Sequence, residues 1–438
     1  MLSGNEWLYT LLLAIGVIGI PIAQLLSKKY YAIFSPLTMV CVVYFYYAIL
    51  GPLNKMASGE VIVRTYDLRD YYIPAMIGCI VSFYSTVLGY IAKQRFTGKA
   101  FALNFPVASK QLRNVGLTLI AIAFFLFTIF SGGDIVSRIN FLDVSKTGQD
   151  FSGSIASYLM LSINFLVVGA LLTFFYYYNR KILLIFLFIF GIIISLFINE
   201  AFRYRIVILI LAIFTAYHLY RQKKPNWIFM ASTLVPFFIL MGVLEVARVY
   251  GRGIDVSRIE NVQYGDLAEK SLNETDVFWA TGLFMDKVLD IRDYTYFDFI
   301  VNAIAAPIPR KIWPSKPDGS YILTTNDDLF EGTGKGQAYL NFSEYYLAFG
   351  WIGVIVISFL WGYFFKTAWL WFLKYKEHPL AITAIAVFNA YIYVIISRNY
   401  FTQHLTLFFF TVYPAFFVIW LYRKRFINPY LYVRRQHR

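Results

Sequence analysis

Three groups of charged residues stand at the edges of apolar runs in this sequence. The segment NEAFRYR carries Glu200, Arg203 and Arg205, and Glu245, Arg248 and Arg252 follow at the end of another run. Arg398 lies between two further runs, six residues before His404. Guanidinium holds phosphate bidentately and keeps its charge beside apolar surface, so arginines at several such edges describe an anion clamp. The plainer alternative is that they snorkel to lipid headgroups or pair with Glu200 and Glu245. On a helix Arg203 and Arg205 point about 200° apart, so both face one pocket only if the backbone there is irregular. Glu245, Arg248 and Arg252, at i, i+3 and i+7, form one stripe until Gly251 and Gly253 break the helix.

Further along, AAPIPRKIWPSKP places Pro307, Pro309, Pro314 and Pro317 around Arg310, Lys311, Trp313 and Lys316. The prolines forbid a helix and give a stiff extended path, either a brace for the loop or a basic ledge with an aromatic ring between its charges. Gly332, Gly334 and Gly336 do not match a nucleotide phosphate loop; they let backbone amides or Lys335 approach a ligand. Asn341 and Glu344 are spaced as N-cap and N3 of a helix, a capping-box arrangement. Alternatively Glu344 is a general base at a membrane edge, and His404 is a rival for that role unless it is a packed, hydrogen-bonded helix residue. Asp327-Asp328 and Asp67 with Asp70 lack the spacing of a divalent-metal pair, so the expectation is no metal and no cofactor.

The elements that must position these residues follow from composition. Of 438 residues, 59% are hydrophobic and 15% charged, against about 25% charged in soluble chains. Lipid must be part of the solvent. Apolar runs are expected to cross at roughly 7–26, 31–50, 71–92, 114–131, 155–178, 182–198, 206–220, 227–246, 343–365, 379–397 and 400–421. The first run lacks a basic leader and a cleavage site, and reads as a retained helix. Phe297–Pro309 is too short to span and reads as re-entrant or interfacial. Cys41 and Cys79 both fall inside apolar runs, which offers no disulfide framework.

Charge sets the expected orientation. The connections and tails 27–30, 93–113, 179–181, 221–226, 366–378 and 422–438 hold 21 Lys/Arg and one acid, Glu377, whereas the other side holds 18 Lys/Arg and 24 Asp/Glu. The basic side is the cytoplasmic one by the positive-inside rule. The net charge of +14 is then a topology signal with affinity for anionic lipid, and not a sign of nucleic acid. Outside lie 51–70, 132–154, two short turns, and a long loop, 247–342, with 14 acids and 10 Lys/Arg, expected to fold against the helices. The expected organisation is an all-α polytopic membrane protein: helices 1–8 over 1–246, the loop over 247–342, and helices 9–11 with a basic tail over 343–438.

The R-x-R turn before a short helix, the P-R-K-x-W-P-x-K-P segment, and the run from Gly336 through Asn341, Phe342, Glu344, Tyr346, Gly350 and Gly353 carry a resemblance. The chain resembles the Wzy-type oligosaccharide repeat-unit polymerases of bacterial O-antigen and capsule assembly, which look related to O-antigen ligases. The resemblance implies a GT-C-like fold with about eleven transmembrane helices in the bacterial cytoplasmic membrane. It implies transfer of a growing glycan from undecaprenyl diphosphate to a new lipid-linked repeat unit, without metal, and adds a chain-length regulator as a further partner. Arg203, Arg205, Arg248 and Arg310 would hold diphosphate, followed by Arg398, with Arg252, Lys311, Trp313, Lys316 and Lys335 lining the substrate. Glu344 would be the base, and His404 the second choice. An O-antigen ligase, or a lipid-linked oligosaccharide flippase, is the alternative.

Overall fold

The computed structural model describes residues 3–59, 61–63, 66–95, 110–130, 159, 161–177, 203–226, 238–249, 253–258, 267, 271–308, 312–317, 321–331, 337–398 and 400–423. It is mostly helical, at 82%. The helices are α1 (Gly4–Leu26), α2 (Pro36–Ser58), α3 (Tyr72–Ala92), α4 (Lys110–Phe130), α5 (Phe165–Tyr177), α6 (Arg203–Arg221) and α7 (Phe238–Ala247). They continue as α8 (Asp276–Ile291), α9 (Asp298–Ala305), α10 (Tyr321–Leu329), α11 (Phe342–Lys374), α12 (Pro379–Ser397), α13 (Phe401–Thr411) and α14 (Tyr413–Arg423). Among the described residues seven helices are long and apolar enough to cross a membrane, or eight if α13 and α14, bent by 44°, make one span. The chain is a multi-pass membrane protein.

α12 has no polar face, and all of its side chains are buried. A helix apolar all round must be surrounded, and α12 is the centre of the bundle. α1 and α4 form the rim, where Trp7, Leu11, Ile15 and Phe125 are exposed for lipid to cover. α3 and α11 pack at backbone distance. A Cβ at Gly89 would lie 1.9 Å from the Phe359 carbonyl oxygen, and one at Gly362 would lie 1.9 Å from that of Thr86. Close approach between small residues is how apolar helices associate without a hydrophobic drive. Ser82 and Ser358 then meet across the pair at 2.9 Å, and Tyr44 donates to Ser82 from α2.

Several boundaries differ from the expectation. The expected loop at 51–70 begins as helix, because α2 continues to Ser58 and stops only at Gly59, a left-handed C-cap at φ 79°. A π-turn at Phe45–Leu50 precedes Pro52, whose missing N–H would break an ordinary ladder. Arg203 opens α6, so the NEAFRYR segment is helical from that point. The stripe Glu245, Arg248, Arg252 does not form. The helix ends at Ala247, and Arg248–Val249 pairs as strand β3 with Gly253–Ile254 as β4. The glycines disfavour helix, and the β-branched Val249 and Ile254 favour the hairpin. α11 runs beyond the expected 343–365 to Lys374, since Trp369 and Phe372 continue its buried face. It is broken at Phe349 and Gly350, the latter at φ 60°, a region open chiefly to glycine. The candidate span 182–198 lies outside the described residues.

The long loop folds against the helices, as its length and composition suggested. α8 buries Phe278 and Trp279 against Tyr72 of α3. Asp276 pairs with Lys55 at the end of α2, and Thr281 accepts the Leu340 N–H at 2.8 Å. Burial raises the Asp276 carboxyl pKa, with Lys55 opposing. At the break in α11, Thr295 and Tyr296 donate their backbone N–H groups to the Leu347 and Ala348 carbonyls at 3.0 and 3.1 Å. Carbonyls freed by a break need such partners inside a membrane. At the opposite end of the bundle Lys224 donates to the Leu25 carbonyl at 2.6 Å, Lys93 donates to Tyr363 at 2.8 Å, and Lys376 lies over the Tyr31 ring.

Candidate functional site

Glu344 stands in the first turn of α11, buried with 1% exposure. The capping box expected with Asn341 does not form: Asn341 has helical backbone angles and makes no side-chain cap bond. Glu344 instead reaches sideways. Its Oε2 accepts the backbone N–H of Phe401 at 2.8 Å, and its Oε1 accepts the Tyr321 hydroxyl of α10. Phe401 is the first residue of α13, where N–H groups have no intrahelical partner and a negative charge is favoured. Glu344 therefore caps a neighbouring helix rather than its own. Burial, and then the Glu344 carboxylate, raise the Tyr321 phenol above its ordinary range, so Tyr321 remains a donor.

His404 lies one turn further along α13, 3% exposed. The ring lies against the Arg398 backbone, which offers it a hydrogen-bond acceptor at a geometry too loose to count as a full hydrogen bond. The His404 backbone is held through the Tyr391 hydroxyl donating to the His404 carbonyl at 2.6 Å. Other buried polar atoms without partners among the described residues include Asn341 Oδ1, Ser397 Oγ, Thr402 Oγ1, and Asn302 Oδ1 on α9, which packs on α13. Buried polar atoms are ordinarily paired, so these are atoms that water or a polar ligand can complete.

Arg398 occupies the turn between α12 and α13. Its guanidinium is 3.9 Å from Glu274 Oε1. Glu274 Oε2 also accepts the hydroxyls of Tyr393, at 2.8 Å, and Tyr47, at 3.4 Å. Tyr47 sits in the π-turn of α2, which turns its side chain out of the ordinary helical register. Tyr46 beside it donates to the Ser271 carbonyl at 2.5 Å. Segment 271–276 is thereby fastened to α2 and α12 directly beside Arg398. Arg205 is buried on α6, and its Nε donates to the Tyr204 hydroxyl at 3.0 Å. α6 packs on α12, the helix that ends beside Arg398.

The structure thus places Glu344, His404 and Arg398 on adjoining elements, with Arg205 on the neighbouring α6. Lys316 is occupied elsewhere: its ammonium caps the end of α9, donating to the Ala306 and Ile308 carbonyls at 3.1 and 3.0 Å. Trp313 is half-exposed in the adjoining turn. Arg203 and Arg248 are described in their backbone alone, and Arg252, Arg310, Lys311 and Lys335 lie outside the described residues. Among the described residues no group of three or more His, Cys, Asp or Glu is placed to hold a metal.

Sequence reasoning missed Tyr321, Glu274, Tyr47 and Tyr393. One signal was present for Tyr47 and Tyr393: phenol hydroxyls deep in apolar runs require partners. Nothing local marked Tyr321 or Glu274, whose roles depend on contacts distant in the chain. No protein-family model, curated protein or solved structure matches the chain.

Proposed function

We propose that the chain is a membrane glycosyltransferase of the repeat-unit polymerase kind, acting on undecaprenyl-diphosphate-linked oligosaccharide. One observation carries the reading. The Glu344 carboxylate, the His404 imidazole and Arg398 lie on adjoining elements at the end of the bundle where the long loop folds, and Arg205 stands on α6, which packs on α12. Such a place suits a reaction in which negative charge develops on a leaving diphosphate while a hydroxyl loses a proton.

In the proposed step the acceptor hydroxyl oxygen bonds to the anomeric carbon of the donor glycan. The bond from that carbon to the diphosphate oxygen breaks, and undecaprenyl diphosphate leaves with the electron pair. The hydroxyl proton passes to a base. Of the two candidates this reading takes His404, whose nitrogens make no full hydrogen bond among the described residues. Glu344, with both oxygens engaged, then orients α13. Arg398 and Arg205 meet the diphosphate, and Arg203, Arg248, Arg252, Arg310, Lys311 and Lys335 remain proposed contributors. Lys316 holds the ledge that carries Trp313.

The finer topology belongs to the same proposal. Counting the apolar helices 161–177 and 238–247 and the run 182–198 as spans gives eleven, in a GT-C-like arrangement. The loop-bearing end faces away from the cytoplasm of a bacterial plasma membrane, and a chain-length regulator is a further partner. The test is incubation of the purified protein with a defined undecaprenyl-diphosphate repeat unit. A ladder of products that persists in EDTA is the expected result. Transfer of finished glycan to a different lipid, with no ladder, would make the chain a ligase, and vectorial movement of intact substrate without new bonds would make it a flippase.

A further inference from the structure

α9 carries two faces of different character. Phe299, Asn302 and Ala303 are buried, with Phe299 against Phe401 at 5.5 Å between rings. On the other side Phe297, Ile300, Val301 and Ile304 follow at i, i+3, i+4 and i+7. Phe297 is 64% exposed and Ile304 62%. That spacing makes one apolar stripe along the helix. A water-facing loop would not keep four large apolar side chains in a row.

The stripe is continuous with a surface that lipid must cover. The Phe297 ring packs on Phe349 at 5.1 Å, at the break where α11 begins its long apolar course. The next exposed side chains of α11 are Trp351, Ile352 and Ile355, in a helix long and apolar enough to cross the membrane. Tyr294 and Tyr296 are exposed beside the same break, and amphipathic rings of this kind settle at headgroup depth. The Thr295 and Tyr296 N–H groups bonded to α11 fix α9 at this level.

We propose that α9 is an interfacial helix, lying along the bilayer surface with the Phe297–Ile304 stripe immersed in acyl chains of the adjacent leaflet. Its buried face rests on α13. α9 is then a thin wall between lipid and the elements bearing Glu344 and His404. The occupant of the stripe is phospholipid hydrocarbon, because the stripe extends the lipid-facing side of α11 without a step. The immersion depends on the membrane and not on the reaction proposed above.

Site-directed spin labelling tests this. Nitroxides are attached to Val301→Cys and Ile304→Cys in the full chain, reconstituted in phosphatidylcholine–phosphatidylglycerol vesicles. Thr324→Cys, on an exposed face of α10, serves as the aqueous control. Cys41 and Cys79 are buried, and the unsubstituted protein reports any labelling of them. The expected result is strong relaxation by oxygen and weak relaxation by a polar nickel chelate at 301 and 304, with the reverse at 324. Nickel access at 301 and 304 equal to the control would mean that the stripe faces water. Low access to both reagents would mean that protein covers it. Either result overturns the proposal, whatever the ladder assay shows.

Discussion

The Glu344 carboxylate of α11 accepts the backbone N–H of Phe401, the first residue of α13, at 2.8 Å. Residues far apart in the chain thus share a helix cap, and Tyr321 of the long loop binds the other carboxylate oxygen. Glu344→Ala leaves both donors without an acceptor. Each buried orphan costs about 1–3 kcal/mol, so the unfolding midpoint in detergent should fall. Glu344→Gln keeps an acceptor and should retain most of that stability. If Glu344→Gln also keeps activity, Glu344 orients α13; if it folds and is dead, Glu344 takes the proton itself.

The His404 ring has only a loose contact with the Arg398 backbone to lose. His404→Gln should leave the unfolding midpoint near that of the parent while the product ladder slows by about 10²–10⁴, the usual contribution of a general base. Full activity in a folded His404→Gln would remove His404 from the reaction.

Glu274 gathers Tyr393, Tyr47 and Arg398. The hydroxyl bonds go to a charged acceptor, whereas the Arg398 contact is long and partly solvated. Glu274→Ala should therefore destabilise by roughly 1.5–3 kcal/mol, and Arg398→Ala by less. Arg398→Lys keeps charge but loses the fork, and should impair turnover without loss of fold. Thermal unfolding and the ladder assay, run on the same preparations, separate the two effects.

Gly89 and Gly19 form a matched pair for the packing of the bundle. A Cβ at Gly89 meets the Phe359 carbonyl at 1.9 Å, while one at Gly19 meets nothing within 4 Å. Gly89→Ala should force α3 from α11 at a cost of about 1–3 kcal/mol or more. Gly19→Ala, in the exposed α1, should gain about 0.5–1 kcal/mol from lost unfolded-state freedom. Equal unfolding midpoints for the two variants would contradict the close contact.

The 21-to-1 ratio of basic to acidic residues on one side predicts orientation. In spheroplasts an impermeant thiol reagent should label Thr324→Cys but not Glu377→Cys. The opposite pattern would turn the bundle over.

The membrane class was legible from composition alone, because an apolar run near the thickness of a bilayer has few other ways to be stable. α1, α3, α4, α6 and α12 fall close to their expected bounds for that reason. Helix ends were less legible. Whether α2 stopped at residue 50 or Ser58 depended on a π-turn and a left-handed glycine, neither of which hydropathy registers. The failed stripe of Glu245, Arg248 and Arg252 shows the same limit, since two glycines and two β-branched residues outweighed helical spacing.

The sequence by itself raised the candidates, Glu344, His404, Arg205 and Arg398 among them, by charge in apolar surroundings. Only the tertiary structure decided what each of them touches. The spacing of Asn341 and Glu344 is equally that of a cap or a base, because spacing encodes reach along one helix and not across to another. Folding brings Phe401, Tyr321 and Glu344 to one point, and Glu274 to Tyr47, Tyr393 and Arg398. It sets the His404 ring against the Arg398 backbone. Those relationships arise from packing between helices, where a buried polar group finds whichever partner the fold brings within about 3 Å.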